Sequence, residues 1–435
     1  MLLPPRFKGE NQGVYVQHVR SMQWLLEGSS DWSVDTADLD DKALEKKVIE
    51  ADILVVHMLS HARAEGAIRV RRAAGRPSVF EISDNFLGLG AWLPPRHPLR
   101  SPLVRQRILY HAWLCDALQV YAAPLARLFA RVNPTIAQFT PFVPLVGPAQ
   151  RPSRSFVFGW AGTSSHAGDL EHVAPAIVEF CNRHEDAVFA YMGDQALLGR
   201  YFAKLPTAQV RARPFSPYEE FLDFVRQWNV GLAPLRADPF GNARTDTKFS
   251  TYAACGVAPL VEAHPVHASH RAHALLFNDP GDMLEKLESL YRDRGYADRV
   301  GRQAFEWAAR ERNLDLLREQ RIGFYDRLLS GRGGASPDLS RQETPTDLAQ
   351  AVEEAPLARL RRGHAGWKRR LDLFLAVLEQ QPYDYVALRN VIDHREREGA
   401  ETIELDQLYE RLCLLAPEAV PPHRRPSELN EFLPS

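Results

Sequence analysis

The residues best placed to do chemistry lie in Asp238-Pro-Phe-Gly-Asn-Ala-Arg-Thr-Asp-Thr-Lys-Phe-Ser-Thr-Tyr-Ala-Ala-Cys-Gly-Val257, where Arg244 and Lys248 introduce an Ala-rich run that stops at Gly256. Two cations at a helix start make a site for an anion such as a nucleotide diphosphate. Free N–H groups and the helix dipole already favour negative charge there, and the two side chains add to it. The competing reading is a pair of ordinary solvated surface cations.

The elements that must hold these residues follow from their flanks. Val230–Leu235 and Val257–Val261 are short apolar runs of the kind that form buried strands, and the Ala-rich run between them reads as a helix. Strand, loop, helix and strand make one βαβ unit, and its loop lies at the C-terminal edge of a parallel sheet, where open α/β folds bind ligands.

That unit belongs to a longer alternation. Trp32–Val34, Ile53–His57, Ser78–Ile82, Leu118–Tyr121 and Ile136–Phe139 read as strands separated by helical stretches, which predicts a parallel, doubly wound sheet over residues 1–148. A Pro-rich segment from Gly147 to Arg154 marks a linker. The pattern then restarts over 149–330, with strands at Phe156–Trp160, Ala187–Met192, Gln209–Ala212, Val230–Leu235, Val257–Val261 and Ala274–Phe277 and a helical stretch from Asp298 to Leu329. Residues 331–350, rich in Gly and Ser at their start, read as a flexible linker. In 351–435, Trp367, Leu371, Phe374, Leu375 and Leu378 recur at helical spacing and Pro382 breaks the run, which predicts a small helical appendix for packing or for a protein partner.

Composition narrows the class. With 435 residues the chain is too long for one core. With 53 basic and 55 acidic residues, its net charge of −2 gives no bulk attraction to nucleic acid, so any basic site is local. The four cysteines, Cys115, Cys181, Cys255 and Cys413, have no paired spacing, which argues against a zinc site or a disulfide framework and fits a reducing cytoplasm. No apolar run is long enough for a membrane span, and the first residues lack a signal-peptide core.

Three further patterns carry two readings each. His264, His267, His270 and His273 recur every three residues, as metal ligands on a helical turn do, but Pro265 and the lack of nearby acids favour a polar loop. In Pro94–Trp113, Arg96, Arg100, Arg105 and Arg107 alternate with Leu99, Leu103, Ile108, Leu109 and Trp113. This suits peripheral contact with the inner membrane face, or a core helix with a basic outer side. Gly9 and Gly13 form a weak signal for an acceptor anion.

Phe156-Val-Phe-Gly-Trp-Ala-Gly-Thr-Ser-Ser-His-Ala-Gly-Asp-Leu170 resembles the opening of the C-terminal domain in GT-B glycosyltransferases of the retaining, family 4-like class. Lys248-Phe-Ser-Thr-Tyr-Ala-Ala-Cys-Gly-Val257 is similar to that family's nucleotide-sugar loop. The match covers mainly residues 156–280; the first half joins it by architecture and by Val79-Phe-Glu-Ile-Ser-Asp-Asn85. The resemblance implies two Rossmann-like domains facing a cleft, a nucleotide-sugar donor, a saccharide, lipid or protein acceptor, and transfer without a cofactor or metal. It implies that Gly162, Thr163, Ser164, Asp246 and Thr251 bind the nucleotide, that Arg244 and Lys248 balance the leaving diphosphate, and that Asp84 touches the donor sugar or acts as a base. For Asp84 the alternative is a helix N-cap.

The chain departs from the family pattern at Thr251, where relatives carry a ribose-holding Glu, and at Ala243, eight positions earlier, where they carry a second acid. An Arg and a Lys usual after the opening strand are absent from Gly162–Asp169. These departures leave open a degenerate GT-B partner protein, or an epimerase. The first strand of the family is expected to be missing or rudimentary, since only Met1-Leu-Leu-Pro precedes the first loop.

Overall fold

The computed structural model describes residues 1–3, 19, 21–26, 29, 31–90, 93, 95–149, 155–312, 314–331, 371–399 and 402–433. The described chain forms two compact units, one made of Met1–Arg6, Asp35–Phe139 and Gln320–Ser435, the other of Phe7–Val34 and Thr140–Glu319. The Gly9 and Gly13 signal, nearly all of the 331–350 linker, and Trp367 lie outside the described residues.

The first unit is built on six parallel strands: β1 (Leu2–Leu3), β2 (Ala37–Asp38), β3 (Leu54–His57), β4 (Ser78–Ile82), β5 (Ala117–Val120) and β6 (Ile136–Gln138), in the order β2-β1-β3-β4-β5-β6. The opening strand is present but only two residues long, with Leu2 fully buried. Its pairing moves the next strand away from the expected Trp32–Val34, because Leu2 and Leu3 fall opposite Ala37 and Asp38. Register here is set by the partner strand and not by local β-propensity.

A row of polar residues crosses this sheet in register. His57, Glu81 and Gln119 are direct neighbours on β3, β4 and β5. The fully buried Glu81 binds His57 Nδ1 at 2.7 Å and accepts from Tyr121 at 2.8 Å and from Gln119, whose own Oε1 accepts from Tyr325 at 2.8 Å. Arg321 stacks 3.8 Å over the Phe139 ring in the same interior. Buried polar groups are tolerated at this density only when paired, and this row is.

The predicted appendix belongs to this unit and packs on it. Its helices Tyr385–Glu398 and Thr402–Leu415 lie by the helix Pro102–Leu114, and Leu371–Gln380 packs on Tyr385–Glu398. Arg105 donates to the Leu415 carbonyl at 3.1 Å, and Gln106 donates to Asp384 at 3.1 Å. Past the last helix, Leu429, Phe432 and Leu433 are buried. Arg105 is buried, and Arg100 is tied to the carbonyls of Gly90 and Leu93, so these two are spent inside the unit, while Arg96 and Arg107 are exposed. Among the described residues no helix is long and apolar enough to cross a membrane.

The second unit holds β7 (Phe156–Gly162), β8 (Ala187–Gly193), β9 (Val210–Arg213), β10 (Val230–Ala233), β11 (Ala258–Glu262) and β12 (Leu275–Phe277), in the order β12-β11-β10-β7-β8-β9. Strands run outward from β7 first to one side and then to the other, so the topology switches between β7 and β10. The central strands β7 and β10 are buried on both faces, which is why Phe156, Phe158, Trp160, Val230 and Leu232 read as near-continuous apolar runs. The long stretch predicted from Asp298 to Leu329 is instead two helices, Arg294–Glu311 and Leu314–Leu329. All four cysteines are buried thiols.

Candidate functional site

The loops that leave β7 and β10 flank the switch point, at the sheet edge where α/β folds collect ligands. The one after β7 runs through Thr163 and the short turn Ser164–His166 into the helix Ala167–Arg183. The other runs through Gly241–Ala243 into the helix Thr247–Ala254, which ends at Gly256 with φ +63. This left-handed residue is the helix stop that the sequence predicts.

Arg244 and Lys248 converge on one atom. Arg244 Nη2 lies 2.8 Å and Lys248 Nζ 2.9 Å from Nε2 of His166. Arg244 also donates to the Ser165 hydroxyl at 3.0 Å, and Ser165 Oγ lies 2.7 Å from Thr163 Oγ1. On its other side, His166 Nδ1 lies 2.7 Å from Asp169 Oδ2, while Asp169 Oδ1 accepts the Arg236 backbone N–H at 3.0 Å. An arginine has no acceptor, so Nε2 must be the acceptor and Nδ1 the protonated nitrogen, donating to Asp169. Aromatic rings back both cations: Arg244 lies 4.5 Å over Phe240, and Lys248 6.0 Å from the centre of Trp160.

The electrostatics follow from this crowding. Desolvation, and then the neighbouring Arg244, lower Lys248 to about 7, with Asp169 opposing them. Burial raises Asp169 against the pull of the Arg236 N–H, Lys248 and Arg244. Glu262, at the end of β11, accepts the Leu235 N–H at 2.6 Å, and burial, with Asp169 adding to it, pushes its carboxyl up to about 7.

Other predicted residues fall in different places. Thr163 and Ser164 are exposed in the turn after β7. Gly162 sits against the buried Trp160, whose ring lies 2.6 Å from where a Cβ would stand. Asp246 faces away from the cluster. Burial acts to raise it, but His270 at 2.9 Å and Arg312 prevail and hold it low, so it braces the start of its helix. Thr251 is buried, and its hydroxyl donates to the Thr247 carbonyl one turn back at 2.8 Å. That bond commits its one donor within the helix. Ala243 is fully buried.

Asp84 belongs to the first unit, half-exposed in the loop after β4. No helix starts there. It is Asn85 that takes the capping bonds, accepting from the N–H groups of Leu87 and Gly88 at 3.1 and 3.2 Å. The histidine series is structural. His264 pairs with Asn242, His267 donates to the Glu262 carbonyl and is lowered by burial to about 4, and His270 stacks 3.8 Å from Phe249. Among the described residues no group of three or more His, Cys, Asp or Glu could hold a metal ion.

Sequence reasoning singled out the two cations but gave no role to His166 or Asp169, although both stand in the quoted opening motif. Their three-residue spacing at a helix start was the available signal.

No family model matches the chain, and no curated protein matches its sequence. Among solved structures, Anabaena HepE in complex with UDP and glucose superposes with a TM-score of 0.53 at 10% identity, over 74% of this chain and 98% of HepE. The same protein in complex with UDP-glucose gives 0.52 at 11%, over 76% and 98%. The chain spans 54% of the length of TarM, with 63% of its own residues matched at a TM-score of 0.48 and 8% identity. At this identity the likeness is one of architecture: the chain has the GT-B fold, two Rossmann-like units, each on a parallel sheet.

Proposed function

We propose that this protein is a glycosyltransferase that takes a sugar from a nucleotide-diphosphate donor and passes it to a saccharide, lipid or protein acceptor. One observation carries the reading: Arg244 and Lys248 meet at the sheet's switch point, both within hydrogen-bond reach of Nε2 of His166. Rupture of the sugar–phosphate bond builds charge on the leaving diphosphate, and two preorganised cations lower that barrier without a metal. The exposed hydroxyls of Thr163 and Ser164 supply further donors to the phosphates. Asp84 contacts the donor sugar, and the sugar's configuration is retained. Superposition on a structure holding UDP-glucose supports a uridine donor.

Thr251 favours a second reading, a degenerate GT-B partner protein that binds no donor, since its hydroxyl is committed within its own helix. Calorimetry with UDP, GDP, dTDP and CDP and their sugars, each with and without EDTA, separates the two. For the transferase, one diphosphate binds with EDTA present and its sugar is turned over. Lys248→Ala and Arg244→Ala each weaken binding roughly tenfold to a hundredfold, the worth of a charge-assisted hydrogen bond. Asp84→Ala lowers turnover and leaves diphosphate binding intact. No binding of any diphosphate or sugar selects the partner protein, and unchanged binding in both cation variants removes the site.

A further inference from the structure

His166 touches both cations and Asp169. Its Nε2 accepts from Arg244 and Lys248, its Nδ1 donates to Asp169, and Ser165 shares the Arg244 guanidinium. In the free protein the two cations share the lone pair of Nε2, at 2.8 and 2.9 Å. An incoming anion with several oxygens offers both cations a better acceptor and releases Nε2.

We propose that His166 is a proton-accepting arm of the diphosphate cradle: neutral while it holds Arg244 and Lys248, and protonated by solvent at Nε2 once a diphosphate takes both cations, so that it donates to a phosphate oxygen. This rests on the reading of the cluster as a diphosphate site. The balance is simple. One proton moves from water to Nε2, no covalent bond to the ligand forms, and the imidazolium keeps its Nδ1–H bond to the Asp169 carboxylate, which stabilises the positive ring.

The charged groups facing His166 include Arg244 from the β10 loop, Lys248 from the helix Thr247–Ala254, and Asp169 from its own helix. Beyond Asp169 stands Glu262, on β11, with His172 3.7 Å from it. Lys248 and Glu262 also bind protons when an anion arrives, so total proton uptake does not isolate His166. A resonance of the ring itself does.

The test is a pH titration of the full chain carrying 13Cε1-labelled histidine, followed by NMR in the free state and saturated with UDP, GDP, dTDP, CDP or inorganic pyrophosphate. His166→Gln assigns the signal. The midpoint of the His166 signal is expected to move to higher pH when diphosphate is bound, and Asp169→Asn is expected to reverse much of that move. His166→Gln should weaken diphosphate binding about tenfold at pH 6.5 and little at pH 8.5. If diphosphate binds and the His166 midpoint stays or falls, the proton-accepting role is overturned while the site stands. If none of the five anions binds the folded protein, the site itself fails and the inference with it.

Discussion

At the scale of single residues, the chemistry rests on Arg244 and Lys248 converging on Nε2 of His166. With Lys248 lowered to about 7, part of its population is uncharged at neutral pH, and a diphosphate draws it back to the ammonium form. The sign follows from linkage. The lysine is charged and ready below about pH 7, and above it each bound anion must also bring in a proton, so affinity falls as pH rises from 6.5 to 8.5. Replacing Lys248 with Arg, which stays protonated, should reduce that slope, as calorimetry across the range would show. An unchanged slope would mean that Lys248 does not titrate there. The two cations were legible in the sequence because their types and their place before a helix suffice. His166 was not, since a lone histidine in a turn has no meaning until the fold brings a loop nearly eighty residues away against it. Thr251 misled for a related reason: its position matched a ribose contact, and only the helix geometry shows its hydroxyl turned back on its own backbone.

At the scale of elements, β7 and the turn after it carry the arrangement. Trp160 is buried below Gly162, and Gly193 on β8 lies against the Gly162 carbonyl, so the strand end stays flat and the turn to Thr163 is held close. Gly162→Ala would drive a methyl group into the Trp160 ring at 2.6 Å, a backbone-adjacent overpacking that costs about 1–3 kcal/mol. A lowered Tm together with weakened diphosphate binding is expected; full stability in this variant would show that the ring has room to move. Strand positions in the second unit were readable from apolar runs, within a residue or two, because burial on both faces leaves little else to encode. The strand near residue 32 was not, because Leu2 and Leu3, thirty-five residues upstream of their partners, choose the register.

At the scale of the whole molecule, the unexpected feature is where the last segment goes. The appendix was legible as helices, from the spacing of Leu371, Phe374 and Leu378, but its docking depends on side chains scattered over the first unit. Asn85 donates to the Phe432 carbonyl at 2.8 Å, directly beside Asp84, and Arg127 lies 5.9 Å over the Phe432 ring. Phe432→Ala should cost about 3 kcal/mol and raise amide exchange between residues 84 and 90, measured by hydrogen–deuterium exchange, with β7 to β12 unaffected. Equal exchange in the loop would show that the tail merely covers it.

The same contact sets an order of events during synthesis. The second unit has all its strands once residue 319 has left the ribosome, whereas the first still lacks the segment from 320 to 433 that closes over Asn85. Domains that emerge first usually finish first. Here the unit begun earliest is completed last, and the loop at Asn85, which Phe432 meets only at the end, is the surface that a chaperone would find while translation continues.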